Sequence, residues 1–266
     1  MNILERNRQA WNRESQQGNE WTVPVDSATI ARARADDWQV VLTPTRAVPR
    51  RWFGDLRGKD VLCLASGGGQ QVPILAAAGA NVVSFDLSDA QLATDRMVAE
   101  REGLAIRFVR GDMADLSAFE DAGFDLIFHP ASNVFVPDVC VVWRECFRVL
   151  RPGGSLLSGM MSPSLFLFDH DEVERTGVLV VKYKLPFSNL TSLEGAEKQR
   201  WLDSGEMAEF SHSLDTLIGG QLDAGLVLVA LFEDNWTDDA TLFNRYAPVA
   251  FATWAVKPAS NLVAAR

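Results

Sequence analysis

Positive charge is scarce in this sequence. Its 25 lysines and arginines stand against 35 aspartates and glutamates, for a formal charge of −10. Nothing in it resembles the basic footprint that nucleic acid or an anionic lipid surface requires. Long apolar runs are also missing: none reaches the ~20 residues needed to span a bilayer. The opening residues Met1 to Arg8 are too polar for a signal peptide, so a cytoplasmic location is expected. Cysteine is rare. Cys63, Cys140 and Cys146 form neither a paired framework nor a metal-ligand spacing, and Cys63 sits inside an apolar run that suits a buried, reduced thiol. No metal site, internal repeat or low-complexity tract is visible. What remains is an ordinary globular composition, 47% apolar over 266 residues, enough for one large α/β domain or one domain with additions.

One stretch organises the rest. The mostly apolar run Val61-Leu62-Cys63-Leu64 leads through Ala65-Ser66 into Gly67-Gly68-Gly69, followed by Gln70-Gln71 and an alanine-rich segment that ends at Gly79. A buried parallel strand is apolar on both faces, and a glycine at the end of an alanine-rich segment suits a helix C-terminus. Strand, glycine turn and helix together make a cradle for a nucleotide, because glycine lets the backbone approach a ligand and a helix N-terminus presents free N–H groups.

Around it, strands alternate with helices. Strands are expected at Asn81–Asp86, Leu104–Val109, Phe124–His129 and Ser155–Met160, with helices over Asp89–Glu102 and Val139–Leu150. That rhythm predicts a Rossmann-like, doubly wound, mostly parallel sheet. Upstream, residues 1–20 and a segment from Asp26 or Ser27 to Trp38 read as helices, and a short one starts near Pro49. Downstream, 179–185 and 206–213 read as two strands that pair, followed by a helix over 214–222 weakened by Gly219-Gly220. Strands at 226–232 and 248–257 are too close together for a packed crossover and predict an antiparallel pair at the sheet edge. The expected organisation is an N-terminal helical cap (1–54), a cofactor-binding core (55–162), an inserted substrate cover (163–213), and a C-terminal helix with strands six and seven (214–266).

In an open α/β sheet, ligands bind at the carboxyl ends of the strands. Those ends carry Ala65 to Gly69, Asp86, Asp112-Met113 and His129. Asp86 is placed to accept bonds from two ribose hydroxyls, Asp112 to accept from an exocyclic adenine amine, and Met113 to lie against the ring. Each acidic strand end could alternatively be a helix cap or a solvated loop residue. The nicotinamide-dinucleotide fingerprint G-x-G-x-x-G fails, because Val72 stands where the third glycine belongs.

The observed turn is closer to that of another family. Val61 to Gly69 resembles the first motif of class I S-adenosylmethionine-dependent methyltransferases. Ser84-Phe85-Asp86-Leu87-Ser88 resembles their ribose-binding strand end, Gly111-Asp112-Met113 their adenine-side motif, and Phe124-Asp125-Leu126-Ile127 their fourth strand. Phe147 to Gly154, with Arg151-Pro152-Gly153-Gly154, resembles their turn into strand five. The likeness covers about Gly58 to Met161, with sixth and seventh strands beyond. The segments Trp11 to Ser15 and Gly18 to Thr22 are similar to an N-terminal signature of a bacterial subgroup. Two residues depart from the pattern: Cys63 stands where the family often has an acid, and Ala65 where it often has glycine. Ala65 then needs an ordinary negative φ, or the turn is strained. Polar contacts to the methionine end would be shared with Ser66, Gln70 or Gln71.

The resemblance implies a seven-stranded, mostly parallel sheet with an antiparallel last strand, S-adenosylmethionine as cofactor, and methyl transfer by in-line displacement. It implies cofactor contacts from Ala65, Ser66, Gly67, Gly69 and Gln71, from Asp86, Leu87 and Gln91, from Asp112 and Met113, and from Trp21 and His129. Trp11 and Trp21 are the tryptophans best placed for a lid over a flat or cationic ligand, with packing of the N-terminal helices as the alternative. His129 ends strand four beside the expected methyl position and is the candidate general base. Its other reading is a neutral imidazole packed against the cofactor or bonded to the next loop. Ser132 and Asn133 could orient an acceptor or simply shape that loop. His212 could reach the acceptor pocket from the cover or lie on a strand pair, and His170 reads as a solvated loop residue. His129-Pro130-Ala131-Ser132 lacks the amino-methylase pattern. A small-molecule acceptor is therefore expected, with no nucleic acid or membrane partner, as a monomer or a homodimer. The rival readings are a non-catalytic cofactor-binding or interaction protein and a nicotinamide-dependent oxidoreductase.

Overall fold

A computed structural model describes residues 1–237 and 240–259. In chain order the main elements are α1 (Ile3–Gln17), α2 (Ser27–Arg34), β1 (Asp60–Leu64), α3 (Gln71–Ala77), β2 (Asn81–Asp86), α4 (Asp89–Glu102) and β3 (Ile106–Arg110). They continue as β4 (Phe124–His129), α5 (Val139–Val149), β5 (Leu150–Met161), α6 (His170–Thr176), α7 (Asn189–Ser192), α8 (Gly195–Ser204), α9 (Gly220–Asp223), β6 (Val227–Asp234) and β7 (Ala250–Val256).

The strands form one seven-stranded sheet in the order β3-β2-β1-β4-β5-β7-β6. β1 to β5 are parallel to one another, and β7 runs antiparallel between β5 and β6. This is the expected Rossmann-like sheet with an antiparallel last strand. Strand order reverses between β1 and β4, so the crevice for a ligand opens at the carboxyl end of β1.

Local sequence accounts for most element ends. Ser88 caps α4 by accepting from Gln91 N–H at 3.2 Å, and Asp138 caps α5 by accepting from Cys140 N–H at 2.9 Å. Period-2 alternation divides the core between the two sheet faces. Val61, Cys63 and Phe128 pack with Ile74, Trp52 and Phe53 on one face. Leu62, Leu64 and Ile127 pack with Val142, Trp143 and Val149 of α5 on the other. Arg151 ties the starts of two strands, donating to Asp60 and Asp125 at 2.7 Å each.

Two local expectations need correction. The helix expected to reach Trp38 stops at Arg34, and Asp36 takes a left-handed φ of 64°. The strands expected at 179–185 and 206–213 do not pair with each other. The first meets Phe168 through a single bridge at Val181, and the second meets Ser188 through a single bridge at Phe210. Lys182 and Tyr183 N–H both turn to the Leu167 carbonyl, and Phe210 N–H turns to Val134 O, so neither run can form a ladder with the other. Residues 163–213 instead carry α6, α7 and α8 around a small core of Phe187, Leu193, Trp201, Ala208 and Phe210. Among the described residues, no helix is long and apolar enough to cross a membrane.

A cleft at the strand ends

A cavity of about 770 Å³ opens over the carboxyl ends of β1, β2 and β4. One wall is the glycine turn. Ala65 has a left-handed φ of 48°, the strained option, since an L-residue there crowds its Cβ against the following carbonyl. The Ala65 carbonyl is fixed by Ser132 Oγ at 2.7 Å and its N–H by Phe85 O at 2.7 Å. At Gly67 a Cβ would stand 2.8 Å from Gln91 Cβ, so only glycine allows α4 to approach the turn this closely.

Asp86 ends β2 beneath this wall. One carboxylate oxygen accepts from Gly67 N–H at 3.0 Å and the other from Ser88 N–H at 2.9 Å. Burial pushes this carboxyl above the ordinary range, and the N–H groups of Ser88, Gly67 and Leu87 pull it back. Leu87, Gln91, Asp112 and Met113 line the same region. Gln91 Oε1 is buried without a hydrogen-bond partner. Ser66 Oγ likewise has no well-formed bond, only the weakly accepting thiol of Cys63 beside it. A buried polar atom left unmatched costs free energy unless a ligand completes it.

The N-terminal segment is stitched over this wall. Asn12 Oδ1 accepts from Ser88 Oγ at 2.6 Å and from Ala90 N–H at 3.1 Å, clamping α1 to the start of α4. Val25 N–H donates to Gly69 O at 2.9 Å. Gln70 Nε2 donates to Glu20 O at 2.7 Å and Val23 O at 3.0 Å, while Gln71 Oε1 accepts from Val41 N–H at 3.0 Å. Both glutamines line the cleft but use these polar atoms to hold the segment over it, while the Ser66 hydroxyl makes no well-formed bond. Trp11 and Trp21 also line the cleft, whereas Trp38 and Trp52 belong to the core.

Two expected site residues lie elsewhere. Gly69 is behind the turn: its N–H donates to Asp95 at 2.6 Å, and a Cβ would meet Pro24 at 2.8 Å. His129 is fully buried and outside the cleft lining, with Nδ1 on Leu64 O and Nε2 on Asn133 Oδ1, both at 2.9 Å. With both nitrogens held by the chain, the buried ring links β1 to the loop after β4 and does not face the cleft, and burial pushes its pKa down. Asn133 is buried too and donates to Gly159 O at 2.7 Å, and His212 bonds Asn133 O at 3.0 Å. His170 does line the cleft, with Nε2 on Leu165 O at 3.0 Å.

Two carboxyls escaped the sequence reading. Asp95 of α4 is wholly buried under the turn, accepting from Gly69 N–H and from Ser84 Oγ at 2.6 Å each. Burial, resisted by those bonds, pushes it up to about 7. It stands beside Cys63, whose thiol is pushed up by burial and by this carboxyl, so a buried acid does occupy the region where the family often has one on β1. Its signal was a polar residue on the buried helix positions Leu92, Asp95, Val98 and Ala99. The second is Glu209, on the cleft wall contributed by residues 205–213. Among the described residues, no group of three or more His, Cys, Asp or Glu side chains is placed to hold a metal ion.

A family model described as "Methyltransferase domain" matches residues 62–158. An "Uncharacterized methyltransferase YbaJ" of Bacillus subtilis (strain 168) is 44% identical over 255 residues, spanning 96% of this chain and 98% of its own. "Sterol 24-C-methyltransferase erg6" of Aspergillus fumigatus is 38% identical over 105 residues, 38% of this chain and 28% of its own. Among solved structures, an S-adenosylmethionine-dependent methyltransferase from Mesorhizobium loti shares the fold with a TM-score of 0.60 at 20% identity, over 78% of this chain and 94% of its own.

Proposed function

The chain belongs to the class I S-adenosylmethionine-dependent methyltransferases, and from that premise we propose that it methylates a small molecule enclosed in the cleft over β1, β2 and β4. The observation that carries this reading is Asp86, whose carboxylate ends β2 on the cavity wall beside Ser66 and Gln91, two residues that each hold a buried polar atom without a matched hydrogen bond.

The residues present fit the cofactor. Each Asp86 oxygen already accepts one backbone N–H, and an ionised carboxylate has about four lone-pair sites, so capacity for two ribose hydroxyls remains. Leu87 and Met113 offer apolar flanks for a flat base. Asp112 offers a carboxylate, one oxygen of which already caps Ala114 N–H at 3.0 Å. The Ser66 hydroxyl and the Gln91 amide, unmatched in the folded chain, would bond the remaining polar groups by turning toward the cleft. When bound, S-adenosylmethionine supplies a methyl group already activated on a sulfonium, and the protein supplies orientation and electrostatics.

Enclosure supports a small acceptor. Trp11 and Trp21 from the N-terminal segment and Phe166, Tyr183 and Phe187 from residues 163–213 line the cavity, whose volume is of small-molecule size. Holding an acceptor atom near 3–3.5 Å from the methyl can supply ~7–11 kcal/mol of the barrier without a strong base.

Isothermal titration tests the cofactor site. S-adenosylhomocysteine should bind saturably, and Asp86→Ala should weaken it more than tenfold, since hydrogen bonds to a charged group contribute ~1.5–3 kcal/mol each. Saturable binding that Asp86→Ala leaves unchanged would remove Asp86 from the site. Turnover with a panel of phenol, amine, thiol and carboxylate acceptors separates an active enzyme from a protein that only binds the cofactor.

A further inference from the structure

We infer that the end of the cleft formed by residues 163–213 binds an acceptor that carries a cationic nitrogen on an apolar body, with Glu209 as its counter-ion. The inference rests on reading the cleft as a methyl-transfer site.

Residues 207–210 run extended along the loop that follows β4. Phe210 N–H donates to Val134 O at 2.7 Å, Ala208 N–H to Asn7 Oδ1 at 2.7 Å, and Glu209 N–H to Asn189 Oδ1 at 2.6 Å. Alternation sends Ala208 and Phe210 into the small core of the cover and leaves Met207 and Glu209 on the cleft wall. The backbone of Glu209 is therefore fixed on both sides, and its carboxyl faces the cavity.

That carboxyl has no hydrogen bond or ion pair from any described residue, while burial and the like charge of Glu206 push it up to about 7. Most of the nearby cations are committed elsewhere. Arg6 spends its guanidinium on the carbonyls of Trp201, Leu202 and Glu206, and Arg13 donates to Gly205 O. Lys182 sits between Asp169 and Glu197, at 2.6 and 2.9 Å. Arg200 also lines the cavity, but it is exposed to solvent and is not among the charges that act on the Glu209 carboxyl. An ionised carboxyl with no partner inside a cavity is unfavourable until it takes up a proton or a positive group from outside meets it.

The surrounding walls suit the same guest. Trp11 meets Phe135 edge to face at 5.3 Å, and Tyr183 meets Phe187 at 4.8 Å, with all four rings on the cavity wall. Aromatic faces attract a cation electrostatically and pack an apolar body. An anionic acceptor would face the repulsion of an ionised Glu209, and a neutral one would offer it at most a hydrogen bond and no counter-charge.

The test uses the full chain saturated with S-adenosylhomocysteine and two matched probe sets, phenethyl and indolylethyl, each as amine, alcohol and carboxylate, titrated calorimetrically. In at least one set the amine should bind at least tenfold tighter than the alcohol, with the carboxylate weakest. Glu209→Gln should abolish that preference while leaving S-adenosylhomocysteine affinity intact, which also shows that the variant folds; Glu206→Gln should keep the preference. Amines that bind no tighter than alcohols, a preference that survives Glu209→Gln, or no binding by either set would overturn the inference and leave the methyltransferase reading standing. Failure of S-adenosylhomocysteine itself to bind would instead strike the cofactor site, and this inference with it.

Discussion

Ala65 holds a left-handed conformation in a turn where the family often has glycine. An L-residue there costs about 1–2 kcal/mol relative to the right-handed region, partly offset because glycine loses more freedom on folding. Ala65→Gly is therefore expected to raise stability by roughly 0.5–1 kcal/mol, seen as a melting temperature a few degrees higher. An unchanged or lower melting temperature would mean that the alanine methyl makes compensating contacts in the turn. The residue scale is also where the sequence was least legible. His129 stood at a strand end and was a reasonable base, yet the chain takes up both its ring nitrogens. Glu209 stood in an unremarkable polar run, and its exposure to the cleft depends on Val134, Asn7 and Asn189, 20 to about 200 residues away.

Among the elements, the glycine turn and the N-terminal segment act together. Gly68 has φ of 119°, and a Cβ there would come 2.7 Å from Trp21 O and 2.8 Å from Gln91 Oε1. Gly68→Ala should push residues 19–25 off the turn. We expect faster amide exchange across that segment and at least a tenfold loss of S-adenosylhomocysteine affinity, measured by hydrogen exchange and calorimetry. Normal exchange with normal affinity would show that the segment does not depend on the turn. The Asn12 clamp on Ser88 explains why Trp11-Asn12-Arg13-Glu14-Ser15 stood out in the sequence: that amide seats α1 on α4. The sheet elements were legible because strand burial and turn chemistry are local. The cover was not. Its β-branched and apolar residues at 179–185 read as a strand, but Val178, Val180 and Val181 are exposed, and the hydrogen bonds go to Leu167.

For the whole molecule, buried acids shape the dependence of stability on pH. Asp95 is pushed up to about 7, above an unfolded aspartate near 3.9, so the folded chain binds its proton more tightly. Its contribution to stability is full below about pH 4 and is lost as pH rises through about 7, with a slope of at most ~1.4 kcal/mol per pH unit. Asp86 and Glu209, also raised, act in the same direction. His129 and His212, whose pKa values are lowered by burial, act in the opposite one. Asp95→Asn isolates one group: its melting temperature should gain on the parent chain between pH 4 and 7 and run parallel above that. A constant offset across the range would mean that Asp95 is ionised throughout.

The amino-acid sequence by itself determined the sheet, its antiparallel edge and the wall of carboxyl-end residues, because strand alternation, glycine turns and helix caps act over a few neighbouring residues. Only the tertiary structure decided which polar groups meet the cleft. Asp95 and His129 are turned into the protein, while Glu209 lies on the cavity wall. That choice depends on the packing of segments far apart in the chain, which no local pattern encodes.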